Sequence, residues 1–312
     1  MNSTLHEVFS QPATWRKTEP LTAGAHRELA APGERMLLLG CGTSWFVAQS
    51  IAELRESAGL GETDAVCASE YVPRRHYDRI VAITRSGTST EVLDALRRAP
   101  AGVRRVAVTA VDGEPVDDLT DARLLLDFAD ERSVVQTRFP TSVLALVRRA
   151  YGNNLDGVIA DGAAALAASL PADPEAVDHL VFLGTGWTVG LAHEAALKVR
   201  EAAQAHAESY PAMDFRHGPV AVAGERSLVW SLGDVPASLD ETARAAGAIV
   251  HRDDRDPLAQ LILAQRFAIA LAESRGLDPD RPRLLTRSVL LGAVIGHVAP
   301  AEGSDTSVAG RR

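Results

Sequence analysis

Short, unbroken apolar runs alternate with amphipathic helical patterns along this chain, and that alternation constrains the fold more than any other feature. Met36-Leu-Leu-Leu39, Ala65-Val-Cys-Ala68, Ile80-Val-Ala-Ile83, Val106-Ala-Val108 and Leu124-Leu-Leu126 show no polar alternation. Each therefore reads as a strand buried on both faces. Residues 43–58 and 89–99, which lie between such runs, carry helical periodicity instead. Strand, helix, strand, repeated in this way, predicts an α/β protein with a parallel sheet covered on both sides.

The pattern then restarts. Leu37-Leu-Leu-Gly-Cys-Gly-Thr-Ser44 has a partner 144 residues later in Val181-Phe-Leu-Gly-Thr-Gly-Trp187. Two tandem doubly wound units are expected, joined through a helical stretch around 140–170 and the turn Pro171-Ala-Asp-Pro174. The expected division is an N-terminal helical segment over 1–30, a first unit over 31–155 and a second over 156–312. The second unit looks abbreviated. After Leu228-Val-Trp230 it holds a helix near 240–247, the strand Ala248-Ile-Val250, and helices near 257–275 and 285–298. In the last of these, Leu290, Leu291, Val294 and Ile295 would form one apolar stripe.

Composition narrows the class of function. With 41 acidic against 32 basic residues the net charge is −9, which argues against nucleic acid or an anionic membrane as partner. The longest apolar stretch, Val289 to Pro300, is too short for a membrane span. Residues 1–20 contain no apolar signal region, and the two cysteines, Cys41 and Cys67, sit in apolar runs as expected of buried thiols. A cytoplasmic protein is expected. Only Lys17 and Lys198 are lysines; the other thirty basic residues are arginine. Chemistry requiring a side-chain amine thus has two candidates.

Two glycine-rich loops carry the first chemical signal. Gly40-Cys-Gly-Thr-Ser44 leaves a strand and opens a helix, so backbone amides and the helix dipole converge where an anion could sit. The third glycine of a dinucleotide fingerprint is replaced by Trp45, and by Val189 in the second copy, which disfavours a Rossmann reading. Thr84-Arg-Ser-Gly-Thr-Ser-Thr90 also runs from a strand into a helix and supplies five hydroxyls in seven residues. A helix cap needs one or two of these; the cluster as a whole favours a phosphate cradle to which Arg85 could add charge. The second unit has no equivalent loop, so one phosphate site per chain is expected.

The second signal lies on the amphipathic stretch Gly190–Gln204, where His193, Glu194, Lys198 and Glu201 stand. Spacings of four and three residues place Glu194, Lys198 and Glu201 on one face, as in a surface ion-pair ladder or in an acid–base site. Leu197 stands where the second histidine of a zincin motif would be, and no other His/Cys cluster has ligand spacing, so no metal or other cofactor is expected. Downstream, Phe215-Arg-His-Gly-Pro219 holds His217 in a loop, where histidine suits proton transfer near neutral pH.

Together these residues resemble the sugar isomerase (SIS) superfamily, over nearly the whole chain. The resemblance is to the isomerase half of glucosamine-6-phosphate synthase and its glutaminase-free relatives, which include amino-sugar-phosphate deaminases, ketose/aldose isomerases and fructosamine-6-phosphate deglycases. It rests on Glu7–Pro12, Cys41–Ser44, Thr84–Ser89, Glu131–Thr137, Glu194–Glu201, Arg216–Pro219 and Asp280–Val289, in that order. It implies two tandem SIS-type units and a homodimer with shared active sites. Glu201 is then the enolisation base, and His217 the ring-opening histidine that reaches the partner subunit. Ser44, Thr84, Ser86 and Ser89 become phosphate ligands, with Thr43, Arg85, Val134 and Gln136 beside the substrate. Lys198 joins the catalytic group.

One departure stands out. The position of the synthase's Schiff-base lysine is Arg287 here, and a protonated guanidinium forms no imine. Asn2 rather than cysteine follows Met1, so no ammonia source of its own is expected. The chemistry that remains is proton transfer between C1 and C2 of an amino-sugar phosphate by Glu201 and His217, giving isomerisation or deamination. The alternatives are a fructosamine-6-phosphate deglycase and a non-catalytic sugar-phosphate sensor. A sensor could lose either residue, so the joint presence of Glu201 and His217 favours an enzyme.

Overall fold

In the computed structural model, which describes residues 2–290, the apolar runs become the central strands of two all-parallel sheets. Strand β1 (Met36–Gly40) lies between β2 (Thr63–Cys67) and β3 (Arg79–Ile83), and β4 (Arg104–Thr109) and β5 (Ala122–Leu125) complete the order β2-β1-β3-β4-β5. The second sheet comprises β6 (His179–Gly184), β7 (His206–Pro211), β8 (Ser227–Leu232) and β9 (Ile249–His251) in the order β7-β6-β8-β9. The two orders correspond strand for strand, the second sheet having no fifth strand among the described residues.

Nine α-helices are found among the described residues. Helices α1 (Ser3–Arg16) and α2 (Thr22–Leu29) precede the first sheet, α3 (Thr43–Ser57) and α4 (Thr90–Arg98) are wound into it, and α5 (Arg138–Ala150) and α6 (Asp156–Ala167) lead out of it. Helices α7 (Thr188–Ala203), α8 (Ser238–Ala245) and α9 (Pro257–Ser274) accompany the second sheet. None of them is long and apolar enough to cross a membrane.

Period-two alternation within each strand sorts the core. Met36, Leu38, Val81 and Ile83 of the first sheet and Leu180, Phe182, Leu228 and Trp230 of the second face into one continuous core that also takes in residues of α1, α3, α5, α7 and α9. Leu37, Leu39, Ile80 and Ala82 face out under α4, while Val181, Leu183 and Val229 face out under α8. Helix α3 packs on the first sheet, α7 and α9 pack on the second, and α3 against α7 joins the two. Gly40 and Gly184 make equivalent turns: a Cβ on Gly40 would lie 2.5 Å from the Ser44 backbone, and one on Gly184 2.3 Å from that of Thr188.

Two expectations need correction. Strand β7 is absent from the sequence reading, because its residues His206-Ala-Glu-Ser-Tyr-Pro211 show no apolar run. Residues 285–290 of the helix expected over 285–298 are not helical; Leu284 takes a left-handed φ of 62°, and Arg287 and Ser288 are drawn into tertiary contacts. The rest of that segment, including Leu291, Val294 and Ile295, lies outside the described residues.

Helices α3 and α7 pack antiparallel, at a distance set by Gly190. A Cβ there would sit 2.2 Å from Ser50 Oγ and 2.4 Å from the Phe46 carbonyl oxygen. Gly190→Ala should therefore lower unfolding stability by roughly 1–3 kcal/mol through overpacking. Gly157→Ala, on α6 with nothing within 4 Å of the new methyl, should not. Urea titration of both variants checks this, and equal midpoints would show that the two helices can separate freely.

Candidate active site

Chain connectivity creates a crevice before any side chain is considered. After β1 the chain crosses to β2 on one side, whereas after β3 it crosses to β4 on the other. Between the carboxyl ends of β1 and β3 lies a topological switch point, where open α/β sheets bind ligands. Both glycine-rich loops sit there. Helices α3 and α4 each begin without a side-chain cap, which leaves their amino ends suited to an anion.

Ser44, Thr84, Ser86 and Ser89 line one pocket of about 30 Å³ with Arg85, Gln136 and Arg287. Two of its polar atoms, Thr84 Oγ1 and Gln136 Oε1, are buried without a hydrogen-bond partner. Arg85 is buried beneath the loop. Its Nη1 donates to the Ser133 carbonyl (2.9 Å) and its Nη2 to that of Arg287 (2.8 Å), so it anchors the pocket's walls. Arg287 pairs with Asp130, and Ser288 lies 2.8 Å from Thr88 Oγ1. The C-terminal segment therefore crosses the loop.

The wall carrying Val134 and Gln136 is fixed by two carboxylates. Glu7 accepts from the Arg132 amide (2.6 Å). Glu131, fully buried, accepts from the Thr137 amide and hydroxyl (2.7 and 2.8 Å) and from the Phe139 amide (3.1 Å). Burial raises the Glu131 carboxyl, with Arg85 opposing the rise. Val134 itself is half-buried.

The acid–base helix meets this pocket through Lys198. Its ammonium donates to Thr43 Oγ1 (3.0 Å) and Glu201 Oε2 (2.6 Å), with Glu194 Oε1 3.5 Å away. Both Lys198 and Glu194 are 1% exposed, so the ladder is interior and not a solvated face. Burial opposes charge on Lys198, yet Glu194 and Glu201 outweigh it and hold the amine above its ordinary value. It is a fixed cation here. Desolvation pushes Glu194 up to about 7, with Lys198 opposing.

His217 is not brought to this cluster within the chain. It is exposed at the surface, beside Gly218 and near exposed Met213 and Val222, and among the described residues its side chain makes no hydrogen bond or ion pair. A separate groove of about 760 Å³ at α2 and the end of α5 is lined by Glu19, His26, Arg149 and Tyr151. The sequence reading placed Glu194 on the acid–base face without giving it a role, and it missed Ser288. Nothing local in the sequence marks Ser288.

No family model matches the chain. It is 26% identical over 341 residues to glutamine–fructose-6-phosphate aminotransferase (isomerizing) from Pyrobaculum aerophilum, covering 91% of this chain and 57% of that protein. The chain thus spans about half the length of the curated relatives it matches. Glucosamine-6-phosphate deaminase from Thermotoga maritima superimposes with a TM-score of 0.79 at 24% identity, covering 93% of this chain and all of that one. Tagatose-6-phosphate ketose/aldose isomerase from Escherichia coli gives 0.72 at 21% identity, over 89% and 95%. The chain has the fold of these two solved structures.

Because Glu194 is held above its ordinary 4.5, at about 7, it favours the folded state in acid. That contribution is lost as pH rises from about 4.5 through 7. Denaturation at several pH values should show stability falling more steeply across this window in the wild type than in Glu194→Gln. Equal slopes would mean the carboxylate ionises without cost.

Proposed function

We propose that this protein is an enzyme acting on an amino-sugar phosphate, by isomerisation or deamination. The observation that carries the reading is the Lys198 ammonium, which joins Thr43 of the first glycine-rich loop to the Glu201 carboxylate. A phosphate held by Ser44, Thr84, Ser86 and Ser89 would anchor one end of an open-chain sugar, and C1 and C2 would then be presented to Glu201. Binding energy at the phosphate orients the reacting carbons. Glu201 takes the proton from C2 and, as the carboxylic acid, returns it at C1. For a 2-amino sugar the product imine takes up water, yielding a ketose phosphate and ammonia. Arg287 offers no amine, and Lys198 is held as a cation, so no covalent imine to the protein enters this scheme.

The chain is read as two tandem SIS-type units, 31–155 and 156–312, after the helical segment 1–30, the second being abbreviated; the matching strand orders support this. Its two cysteines are free thiols, in keeping with a cytoplasmic enzyme. The working form in this reading is a homodimer. His217, exposed with Met213 and Val222 exposed nearby, would promote ring opening in the partner's site.

A panel of phosphorylated amino sugars and fructosamines, assayed for ammonia, amino acid and hexose phosphate, tests the chemistry. Glu201→Gln should lower turnover more than tenfold, about 1.4 kcal/mol, while ligand affinity holds; a smaller loss removes Glu201 as base. Release of an amino acid would instead mark a deglycase.

Mixing inactive Glu201→Gln chains with inactive His217→Ala chains should restore part of the activity, since each mixed dimer keeps one intact site. Failure despite proven subunit exchange would remove His217 from the partner's site.

A further inference from the structure

The outer face of the second sheet carries a polar cluster that the proposed reaction does not use. Strands β7, β6 and β8 lie side by side, and their register pairs His179 with His206 on one side and with Ser227 on the other. Glu208 follows His206 by two residues, so it projects from the same face. The opposite face of β7 carries Ser209, which bonds His193 of α7 at 2.8 Å. The cluster and the α7 acid–base network are thus on opposite sides of the sheet. No sequence motif shows the cluster, because His179 is 27 residues from its nearest companion and only pairing of the strands unites them.

We propose that His179, His206 and Glu208 form a binding site for a divalent first-row transition ion of the zinc or cobalt type. Their donor atoms all lie within 4.8 Å of one another. His179 Nε2 is 3.0 Å from Glu208 Oε2, and His206 Nε2 is 3.6 Å from Glu208 Oε1. Ligands at ordinary zinc bond lengths in a tetrahedron stand about 3.3 Å apart, so the cluster needs little rearrangement. Two imidazoles and one carboxylate suit zinc, cobalt or nickel, and not magnesium or calcium.

The surroundings fit this use. His179 Nδ1 is 3.0 Å from Ser227 Oγ, which also accepts from the Gly224 amide at 3.0 Å. Without a cation, His179 Nε2–H donates to Glu208 and Nδ1 accepts from the Ser227 hydroxyl. A cation taking the place of the Nε2 proton leaves Nδ1–H to donate to Ser227 Oγ, the outer hydrogen bond that orients metal-binding histidines. Side-chain exposure rises from 11% at His179 through 22% at Glu208 to 66% at His206. The ion is therefore held from the inner side, and its fourth position opens to solvent. The His179–Glu208 pair alone would suffice as a strand clamp; His206, its ring centroid 5.1 Å from that of His179, is the member that a clamp leaves unexplained.

Calorimetric titration of the metal-free full chain with Zn²⁺, and Co²⁺ absorption as a geometry probe, test the proposal. One equivalent should bind with intense visible cobalt bands of a four-coordinate centre. His206→Ala and Glu208→Gln should each weaken Zn²⁺ at least tenfold, whereas a Cys41→Ser, Cys67→Ser double variant should bind as the wild type does. His206 is exposed, so its loss should leave the melting temperature in chelator unchanged, and Zn²⁺ should raise that temperature only in chains that keep the triad. Absence of saturable binding, wild-type affinity in His206→Ala, or loss of binding in the cysteine variant would each overturn it.

Discussion

A single buried ammonium holds the two halves of the molecule in register. Lys198 reaches from α7 to Thr43 at the start of α3 and is surrounded by Glu194 and Glu201. A lysine this deep stays charged because carboxylates repay the lost hydration. Removing one partner would strand a charge in the interior, which is why the arrangement fixes both helices at once. The antiparallel packing of α3 on α7, with Gly190 allowing close approach, brings the end of one sheet's helix to the start of the other's. Loop and acid–base face adjoin as a result.

Support spreads outward from that point. Glu7 and Glu131 tie the 131–137 wall to backbone amides, and Arg85 binds that wall and the C-terminal segment to the underside of the loop. Buried charge here is spent on backbone geometry. Each carboxylate or guanidinium satisfies several peptide groups that no regular strand or helix could pair.

Strands with apolar residues on both faces were legible from the sequence because burial on two sides demands it. Strand β7 was not. It lies at the sheet edge, and its alternate residues His206, Glu208 and Tyr210 face outward while Ala207 and Ser209 meet α7, so no run of apolar residues marks it. The segment near 285 misled in the opposite sense: its apolar spacing suited a helix, but Leu284 turns the chain and Arg287 and Ser288 are held by Asp130 and Thr88. The hydroxyl cluster of the second loop was legible as composition alone. Spacing also put Glu194, Lys198 and Glu201 on one face, yet could not tell a wet ladder from a dry one, since that depends on α3 covering it.

The distribution of basic residues has a chemical consequence. Of two lysines in the chain, Lys198 is sealed inside, and Lys17 is exposed at the end of α1. Every other basic side chain is a guanidinium. An open-chain sugar carries a free carbonyl, and carbonyls condense slowly with any amine they meet. Over its whole surface this protein offers such a compound one lysine, so wherever reducing sugars are abundant its side-chain glycation would be confined almost to a single point.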